Sequence, residues 1–222
     1  MGTIGLQPYT RVASLRSLWI TKGFRGRGIA RALSEASEAW QTMSGLNLQE
    51  IRTERLLLRR PRLDDAQELF EAITSDALVV RLVGWPRHTD SEATLQVLVR
   101  SDDYWREHGV GPFVVVGSDS HSIIGTTGLS LTANNCASTG YVLARAAWGR
   151  GLASEALTEM VRLATRLDIT ELTAFVHPQN LKSIRVLDKL KFELRSTERT
   201  EHFPNVDGGV ACSVLDYVRV LR

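Results

Sequence analysis

The sequence contains few of the residues that mark secreted or metal-binding proteins. It has two cysteines, Cys136 and Cys212, in 222 residues, whereas a disulfide framework needs more cysteines in a shorter secreted chain. We therefore expect two reduced thiols. Its histidines are scattered, with no HExxH sequence and no Cys/His pairing, so we expect no metal site.

Long apolar runs are also missing. No stretch approaches the roughly 18 apolar residues that a membrane span requires, and residues 1–22 contain no continuous apolar run of signal-peptide length. We therefore expect a cytoplasmic protein that does not bind membranes.

The chain lacks a concentration of charge of one sign. Its formal net charge is +2, and its basic residues are spread along the sequence. Nucleic-acid binding requires a concentrated basic face, so we do not expect that partner. A small polyanionic ligand needs only a few local donors and is compatible with this composition.

From about residue 50, short apolar runs alternate with amphipathic stretches. Strands are predicted at 54–60, 112–117, 121–131, 138–144, 171–176, 195–203 and 210–221. Helices are predicted after Asp64, after a capping box of Thr89 and Glu92, after Gly151, and over 180–190 with Asn180 as N-cap. This pattern predicts an α+β (α/β) domain with a mixed, mostly antiparallel sheet flanked by helices.

Two motifs occur twice at the same offset of 123 residues. GTIGL (2–6) matches GTTGL (125–129), and GRG (26–28) matches GRG (149–151). The first copy stops after one helix, so we expect residues 1–49 to be a partial domain and 50–222 a complete one. A fragment of that size rarely folds alone. It is expected to pack on the larger domain or to pair with another chain, as in a homodimer.

The repeated turn joins a strand to a helix. Glycines leave its backbone N–H groups open at the helix N-terminus, where the helix dipole adds positive potential. The turn is therefore either a pyrophosphate cradle or a plain tight turn. A dinucleotide fingerprint would need a third glycine where Ser154 stands, and the sequence has no P-loop.

Three separated motifs carry a resemblance to a known family. YVLARAAWGRGLASEAL (141–157) and AFVHPQNLKSIRVLDKLKF (174–192) resemble the GNAT superfamily of N-acetyltransferases. With ERLLLRRPRLDDAQELF (54–70) and Trp148, the resemblance points to the RimJ/RimL subfamily of ribosomal-protein N-terminal acetyltransferases. It covers about residues 50–222, and the first 49 residues resemble a partial GNAT core of a different branch.

The resemblance implies an enzyme that moves an acetyl group from acetyl-CoA to a primary amine, on a protein N-terminus or a small molecule. The alternative is a non-catalytic CoA-binding or regulatory module. The resemblance also implies that acetyl-CoA lies where strand 138–144 parts from strand 171–176. The implied cofactor contacts are Val142, Leu143, Ala144, Arg145, Trp148, Gly149, Arg150, Gly151, Leu152, Ala153, Asn180 and Ser183.

Direct attack of the amine on the thioester follows from the same resemblance. The backbone N–H near Leu143 would hold the oxyanion, and Ser183 is the candidate acid for the leaving thiolate. Glu198 is the candidate base, with Glu201 and His202 on the same hairpin as alternatives. The acceptor pocket is expected between the helices of 64–108 and the last hairpin, lined by Trp85, His88 and Trp105.

The sequence departs from the family pattern at three places. No tyrosine occurs between residues 179 and 192, where many GNAT enzymes carry the acid. Thr139 stands where relatives often carry an acidic residue, and Lys191 replaces the glycine that usually precedes Phe192. These departures put a base at position 139 in doubt and are expected to alter the entry into the following strand.

Overall fold

The computed structural model describes residues 49–132 and 134–221, so the predicted partial domain lies outside the described residues except for its last position. The strands are β1 Glu50–Arg52, β2 Leu56–Arg59, β3 Pro112–Gly117, β4 Ile123–Thr132, β5 Cys136–Leu143, β6 Glu171–Val176, β7 Glu193–Ser196, β8 Thr200–Phe203, β9 Val210–Ser213 and β10 Leu215–Val220. The helices are α1 Ala66–Leu69, extended by a π-helical turn Phe70–Thr74, α2 Ser91–His108, α3 Leu152–Arg166 and α4 Leu181–Lys189. None of the described helices is long and apolar enough to cross a membrane.

Eight strands form one sheet in the order β1-β2-β3-β4-β5-β6-β10-β7. Its neighbouring strands are antiparallel except β5 and β6, which are parallel. β8 and β9 form a separate antiparallel hairpin. The predicted fold class, a mixed and mostly antiparallel sheet with flanking helices, is confirmed.

The sheet is buried on both faces. On one face, Leu58, Phe113 and Leu143 pack with Leu157 and Met160 of α3. The other face packs against the first two helices through a second apolar cluster: Val114, Val116, Val142, Leu69, Ile73, Val97 and Leu98. Alternating strand residues therefore enter two cores, which holds the end of β5 rigidly from both sides.

The start of α2 differs from the prediction. Its N-cap is Asp90 and not Thr89, because Asp90 has an extended backbone and its Oδ1 accepts the N–H of Ala93 at 2.9 Å. An aspartate one residue later offers the stronger acceptor for the free N–H groups of the first turn.

The two long strands predicted at the C-terminus are both divided. The first breaks between Ser196 and Thr200, so that β7 pairs with β10 while β8 pairs with β9. The second breaks at Val214, which is fully buried and donates its N–H to the carbonyl of Arg199 at 2.8 Å. The break lets the β8–β9 hairpin leave the plane of the main sheet.

Candidate active site

The parallel strands β5 and β6 pair over three residues and then part. Pairing ends at Ser138 opposite Thr173, although β5 continues to Leu143 and β6 to Val176. Ala144 donates its N–H to Ile124 of β4 at 2.9 Å. Because antiparallel residues alternate in direction, Val142 also faces β4, while the backbone groups of Tyr141 and Leu143 face the gap.

A cavity of about 70 Å³ occupies this gap. Its lining includes Tyr141 and Val142 from β5, His177 from the end of β6, and Asn180 and Ser183 from the start of α4. The structure thus brings together predicted contacts from two distant motifs. Tyr141 and His177 were not predicted from the sequence, and they carry the titratable groups among the described lining residues.

The glycine turn follows the 3-10 turn Arg145–Ala147. Gly149 and Gly151 have φ values of +74° and +77°, which side chains other than glycine rarely adopt. No backbone N–H from Gly149 to Ala153 has an acceptor within the described part of the chain. We call these five N–H groups the cradle. The N–H of Trp148, which was expected to belong to it, donates to Arg145 at 3.1 Å.

The loop between β1 and β2 forms hydrogen bonds to the cradle and to the first turn of α3. Glu155 in the first turn of α3 accepts from Thr53 Oγ1 at 2.5 Å, from the N–H of Arg55 at 3.0 Å and from its Nε at 2.7 Å. Arg55 Nη1 then donates to the carbonyl of Arg150 at 2.9 Å. We call this arrangement of Thr53, Arg55 and Glu155 the bracket. The bracket leaves no local pattern in the sequence, because its partners lie about 100 residues apart.

The two arginines predicted to contact phosphates differ in their surroundings. Arg145 Nε donates to Asp76 Oδ2 at 2.6 Å. Burial raises the pKa of Asp76, but hydrogen bonds from Leu78 and Arg145 outweigh it and the net pKa is lowered. The carboxylate therefore stays ionised and holds Arg145. Arg150 is exposed, and its side chain has no ionic partner among the described residues.

Side chains also occupy the free edge of β5. Trp148 donates its Nε1–H to the carbonyl of Leu143 at 2.8 Å, and Lys182 lies 4.7 Å above the indole ring. Ala144 uses both backbone groups internally, because its carbonyl accepts the N–H of Ala147 at 2.9 Å. The backbone N–H of Leu143 therefore remains directed at the gap. The backbone groups of Val142 and Ala144, which were expected to contact the cofactor, instead form hydrogen bonds within the protein.

The N-terminus of α4 lies beside the gap between β5 and β6. Asn180 caps this helix as predicted, with Oδ1 accepting the N–H of Ser183 at 3.2 Å. Its side-chain amide is left to donate. Tyr141 donates its hydroxyl hydrogen to Ser183 Oγ at 3.0 Å, so the hydrogen of Ser183 is available to a third group. Burial raises the pKa of Tyr141, despite the opposing bond to Ser183.

His177 is a neutral donor in this cavity. Its Nδ1 accepts the N–H of Gln179 at 3.1 Å, so its proton lies on Nε2. Burial and the charge of Arg81 lower the pKa of His177, which keeps the ring uncharged at neutral pH. Its ring packs edge-on against Phe203 at 4.6 Å, which links β6 to the β8–β9 hairpin.

The predicted base lies outside this cluster. Glu198 is exposed on the connection between β7 and β8, where its N–H donates to Ser196 Oγ at 3.1 Å, and it does not line the gap cavity. Glu201 is buried in an ion pair with Arg199 at 2.5 Å, and His202 is exposed. Thr139 lines the gap, but its hydroxyl donates to the carbonyl of Gly128 at 2.8 Å.

A second cavity of about 380 Å³ lies on the other face of the sheet, between the π-helical turn and α2. It is lined by Trp85 and His88, as expected of an acceptor pocket. Trp105 does not line it. Its indole is 2% exposed, donates to the carbonyl of Pro112 at 2.7 Å and packs edge-on against Phe113, because α2 turns this side chain into the opposite core.

The parted strands, the cradle and the capped α4 agree with the class of protein that the motifs resemble, the acetyl-CoA-dependent acyltransferases. The family model "Acetyltransferase (GNAT) domain" matches residues 55–193. The chain therefore belongs to the GNAT family of acetyltransferases, and the N-acetyltransferase activity expected from its motifs is confirmed.

Known relatives agree with this assignment. The uncharacterized N-acetyltransferase p20 of Bacillus licheniformis is 31% identical over 149 residues, which are 66% of this chain and 83% of the relative. Two solved structures share the fold. RimL, a ribosomal L7/L12 alpha-N-protein acetyltransferase in complex with CoA, is 19% identical with a TM-score of 0.66, over 78% of this chain and 98% of that one. The ribosomal-protein-S5-alanine acetyltransferase of Vibrio fischeri is 19% identical with a TM-score of 0.65, over 77% and 96%.

Proposed function

We propose that this enzyme acetylates an α-amine, on a peptide N-terminus or an amino-acid-like molecule, as RimJ/RimL-type enzymes do. The observation that carries the proposal is the makeup of the gap cavity. Among its described lining residues, the titratable side chains are Tyr141, whose pKa is raised, and His177, whose Nδ1 is already occupied. Neither is a ready acceptor for a proton.

An acceptor that loses its proton easily suits such a site. An α-amine has a pKa of about 8, whereas a lysine side chain has a pKa of about 10.4. At neutral pH an appreciable fraction of α-amines is already neutral, so that water can take the proton. A lysine-like amine would need a stronger, well-placed base. The exposed position of Glu198 favours the α-amine for the same reason.

The cradle is the proposed site of the CoA pyrophosphate. Five N–H groups that have no acceptor among the described residues, at the N-terminus of a 15-residue helix, suit an anion. Arg150 can add a side-chain contact, whereas Arg145 would first have to share its bond with Asp76. The backbone groups of Tyr141, which face the gap, and the free amide of Asn180 are the proposed partners of the pantetheine arm.

The chemical step is a direct displacement. The amine nitrogen attacks the thioester carbonyl, the new C–N bond forms, the C–S bond breaks, and the nitrogen gives its proton to water. The N–H of Leu143 is directed at the gap and is the proposed donor to the oxyanion. Ser183 is the proposed acid for the thiolate, because it can be reprotonated through the hydroxyl of Tyr141.

Two measurements test this function. Calorimetric titration with acetyl-CoA is expected to give one site per chain. Acetyl transfer is then compared between alanine-terminated peptides and their N-terminally blocked, lysine-containing counterparts. We expect α-amines to be preferred. CoA binding without transfer to any amine would instead indicate a non-catalytic binding module, and preference for lysine would contradict the assignment of the acceptor.

The acid is tested separately. Because a thiol of pKa about 8.5 is a fair leaving group, Ser183→Ala is expected to lower kcat by about tenfold or less. Tyr141→Phe should lower it by less, and the double variant should be no slower than Ser183→Ala, since both act on one proton path. Additive losses would show that the two hydroxyls act independently.

A further inference from the structure

The second cavity combines an apolar body with donor side chains that are left unpaired in the part of the chain that the structure describes. Its floor includes Leu69, Ile73 and Leu98 from the core. The indole of Trp85 is 7% exposed, and its Nε1 has no hydrogen-bond partner among the residues that the structure describes. A buried indole N–H usually finds a partner, and leaving it unpaired is costly. The Nε1 itself has less than 1 Å² of exposed surface, so a ligand oxygen would reach it only if the indole moved.

The rim of the same cavity is positive. Arg87 and Arg100 line it, both are exposed, and neither forms an ion pair within the described part of the chain. No aspartate or glutamate is found among the lining residues in that part. The nearby Asp90 is engaged as the N-cap of α2, accepting from Ala93.

Three further polar side chains of the cavity are neutral and form one hydrogen-bonded chain. His88 Nδ1 lies 2.8 Å from Thr94 Oγ1, which lies 2.8 Å from Thr74 Oγ1. Burial and the charge of Arg100 lower the pKa of His88, although Asp90 opposes this. The two arginines therefore set the charge of the cavity at neutral pH.

The second cavity adjoins the gap. Thr126, which lines it, is paired across the sheet with Val142, which lines the gap. Gly84 lines the gap, and the next residue, Trp85, lines the second cavity. An acceptor could therefore place its amine at the gap and its tail in this cavity.

We propose that the second cavity selects acceptors whose tail carries an anionic oxygen group, a carboxylate or a phosphate, held by Arg87 and Arg100 at its rim. This inference rests on the proposed function, because it assumes that the cavity serves the acceptor. A free amino acid and an acidic side chain near a peptide N-terminus offer the same group, and the test separates them.

The test compares acceptors whose tails differ by one charge, at equal concentrations of the neutral amine, because the carboxylate of a free amino acid also raises the pKa of its own α-amine. Acetyl transfer is measured for phenylalanine against phenylalaninamide, and for the peptide amide Ala-Asp against Ala-Asn. We expect the anionic member of at least one pair to have a kcat/KM about tenfold higher, as a charge-assisted hydrogen bond allows. The pair that responds identifies the source of the anion.

Variants show whether the arginines cause the preference. The double variant Arg87→Gln, Arg100→Gln should bring the ratio close to one, chiefly by lowering kcat/KM for the anionic acceptor. Arg166→Gln, at the exposed end of α3, is the matched control and should keep the full preference. Equal use of both members by the wild-type enzyme, or a preference that survives the double variant, would overturn the proposal.

A binding measurement keeps this result independent of turnover. N-acetylphenylalanine is titrated calorimetrically into the CoA-loaded protein and into the double variant. Binding that is lost in the variant supports the anionic site even if no amine is acetylated, in which case only the proposed function fails. Absence of binding to the wild-type protein, together with normal CoA binding, contradicts the anionic site itself.

Discussion

The cradle is formed by backbone groups, whereas the second cavity is formed by side chains. The cradle consists of backbone N–H groups, shaped by two glycines with positive φ and held by the bracket. The second cavity is lined by side chains, chiefly Trp85, His88 and two arginines. A site made of backbone changes only when the main chain changes, whereas a site made of side chains can alter its ligand without altering the fold.

The largest effect is expected from a charge placed in the cradle. Gly151→Glu puts a carboxylate beside the proposed pyrophosphate and forces a non-glycine residue to φ near +77°. Charge repulsion and strain of about 1–2 kcal/mol should together weaken acetyl-CoA binding by about 100-fold or more. Calorimetric titration measures this, while N-acetylphenylalanine binding in the second cavity should persist.

Two variants act as controls for that experiment. Gly151→Ala adds a Cβ whose nearest neighbour is Arg55 Nη2 at 3.7 Å, so it introduces strain without charge and should cost much less affinity. Gly28→Glu, at the equivalent position of the first sequence repeat and outside the described residues, should have little effect if only the second copy binds CoA. Equal losses from Gly28→Glu and Gly151→Glu would contradict our account of the repeat.

A smaller effect is expected from loosening the bracket. Glu155→Gln weakens three hydrogen bonds from Thr53 and Arg55. Since Arg55 is partly exposed, we expect a loss of about 1 kcal/mol in unfolding free energy and a severalfold weaker binding of acetyl-CoA. Glu159→Gln, which removes a surface ion pair with Arg162 on the same helix, is the matched control and should change neither quantity.

The stabilising effect of Glu155 depends on pH. Burial raises its pKa, but hydrogen bonds from Thr53 and Arg55 lower the net value below the ordinary 4.5. A carboxyl whose pKa is lowered by folding stabilises the folded state at pH values above its unfolded pKa. This contribution to the free energy of unfolding disappears as the pH falls through the folded pKa. The stability difference between wild type and Glu155→Gln should therefore be full at neutral pH and shrink in acid. A difference that is constant with pH would show that the carboxylate charge is unimportant.

The cradle could be located from sequence because backbone geometry restricts residue choice. Gly149 and Gly151 adopt conformations that favour glycine, and Asn180 is a preferred N-cap residue. The position of β3, the start of α3 and the extent of β6 follow from equally local patterns. Such features depend on neighbours in the chain, so one sequence is enough to predict them.

The features that could not be predicted from the sequence depend on contacts between distant segments. The bracket joins residues about 100 positions apart, and the break at Val214 goes with the hydrogen bond from its N–H to the carbonyl of Arg199, in the connection between β7 and β8. Asn205 in the β8–β9 turn likewise donates to the carbonyls of Val80 and Trp85, both at 2.8 Å. Local sequence patterns give no signal for these hydrogen bonds. The lining of the gap also depends on distant contacts, and for that reason Glu198 was expected in the site and Tyr141 and His177 were not.

The smallest effect is expected at the end of α4, where a lysine adopts a backbone conformation that favours glycine. Lys191 has φ of +60° and stands where the family usually has glycine. Its N–H bonds to Asp188 and that of Phe192 to Leu187, both at 3.0 Å, which is the Schellman pattern that favours glycine.

Lys191→Gly should therefore relieve strain. The relief of about 1–2 kcal/mol is partly offset by the greater freedom of glycine in the unfolded chain, which leaves a net gain of about 0.5–1 kcal/mol. Thermal unfolding should show a Tm higher by about 1–4 °C, with unchanged acetyl-CoA affinity. Lys191→Ala keeps the Cβ and should give no such gain. If alanine stabilised as much as glycine, the gain would come from removing the lysine side chain, and the left-handed backbone at this position would carry no strain.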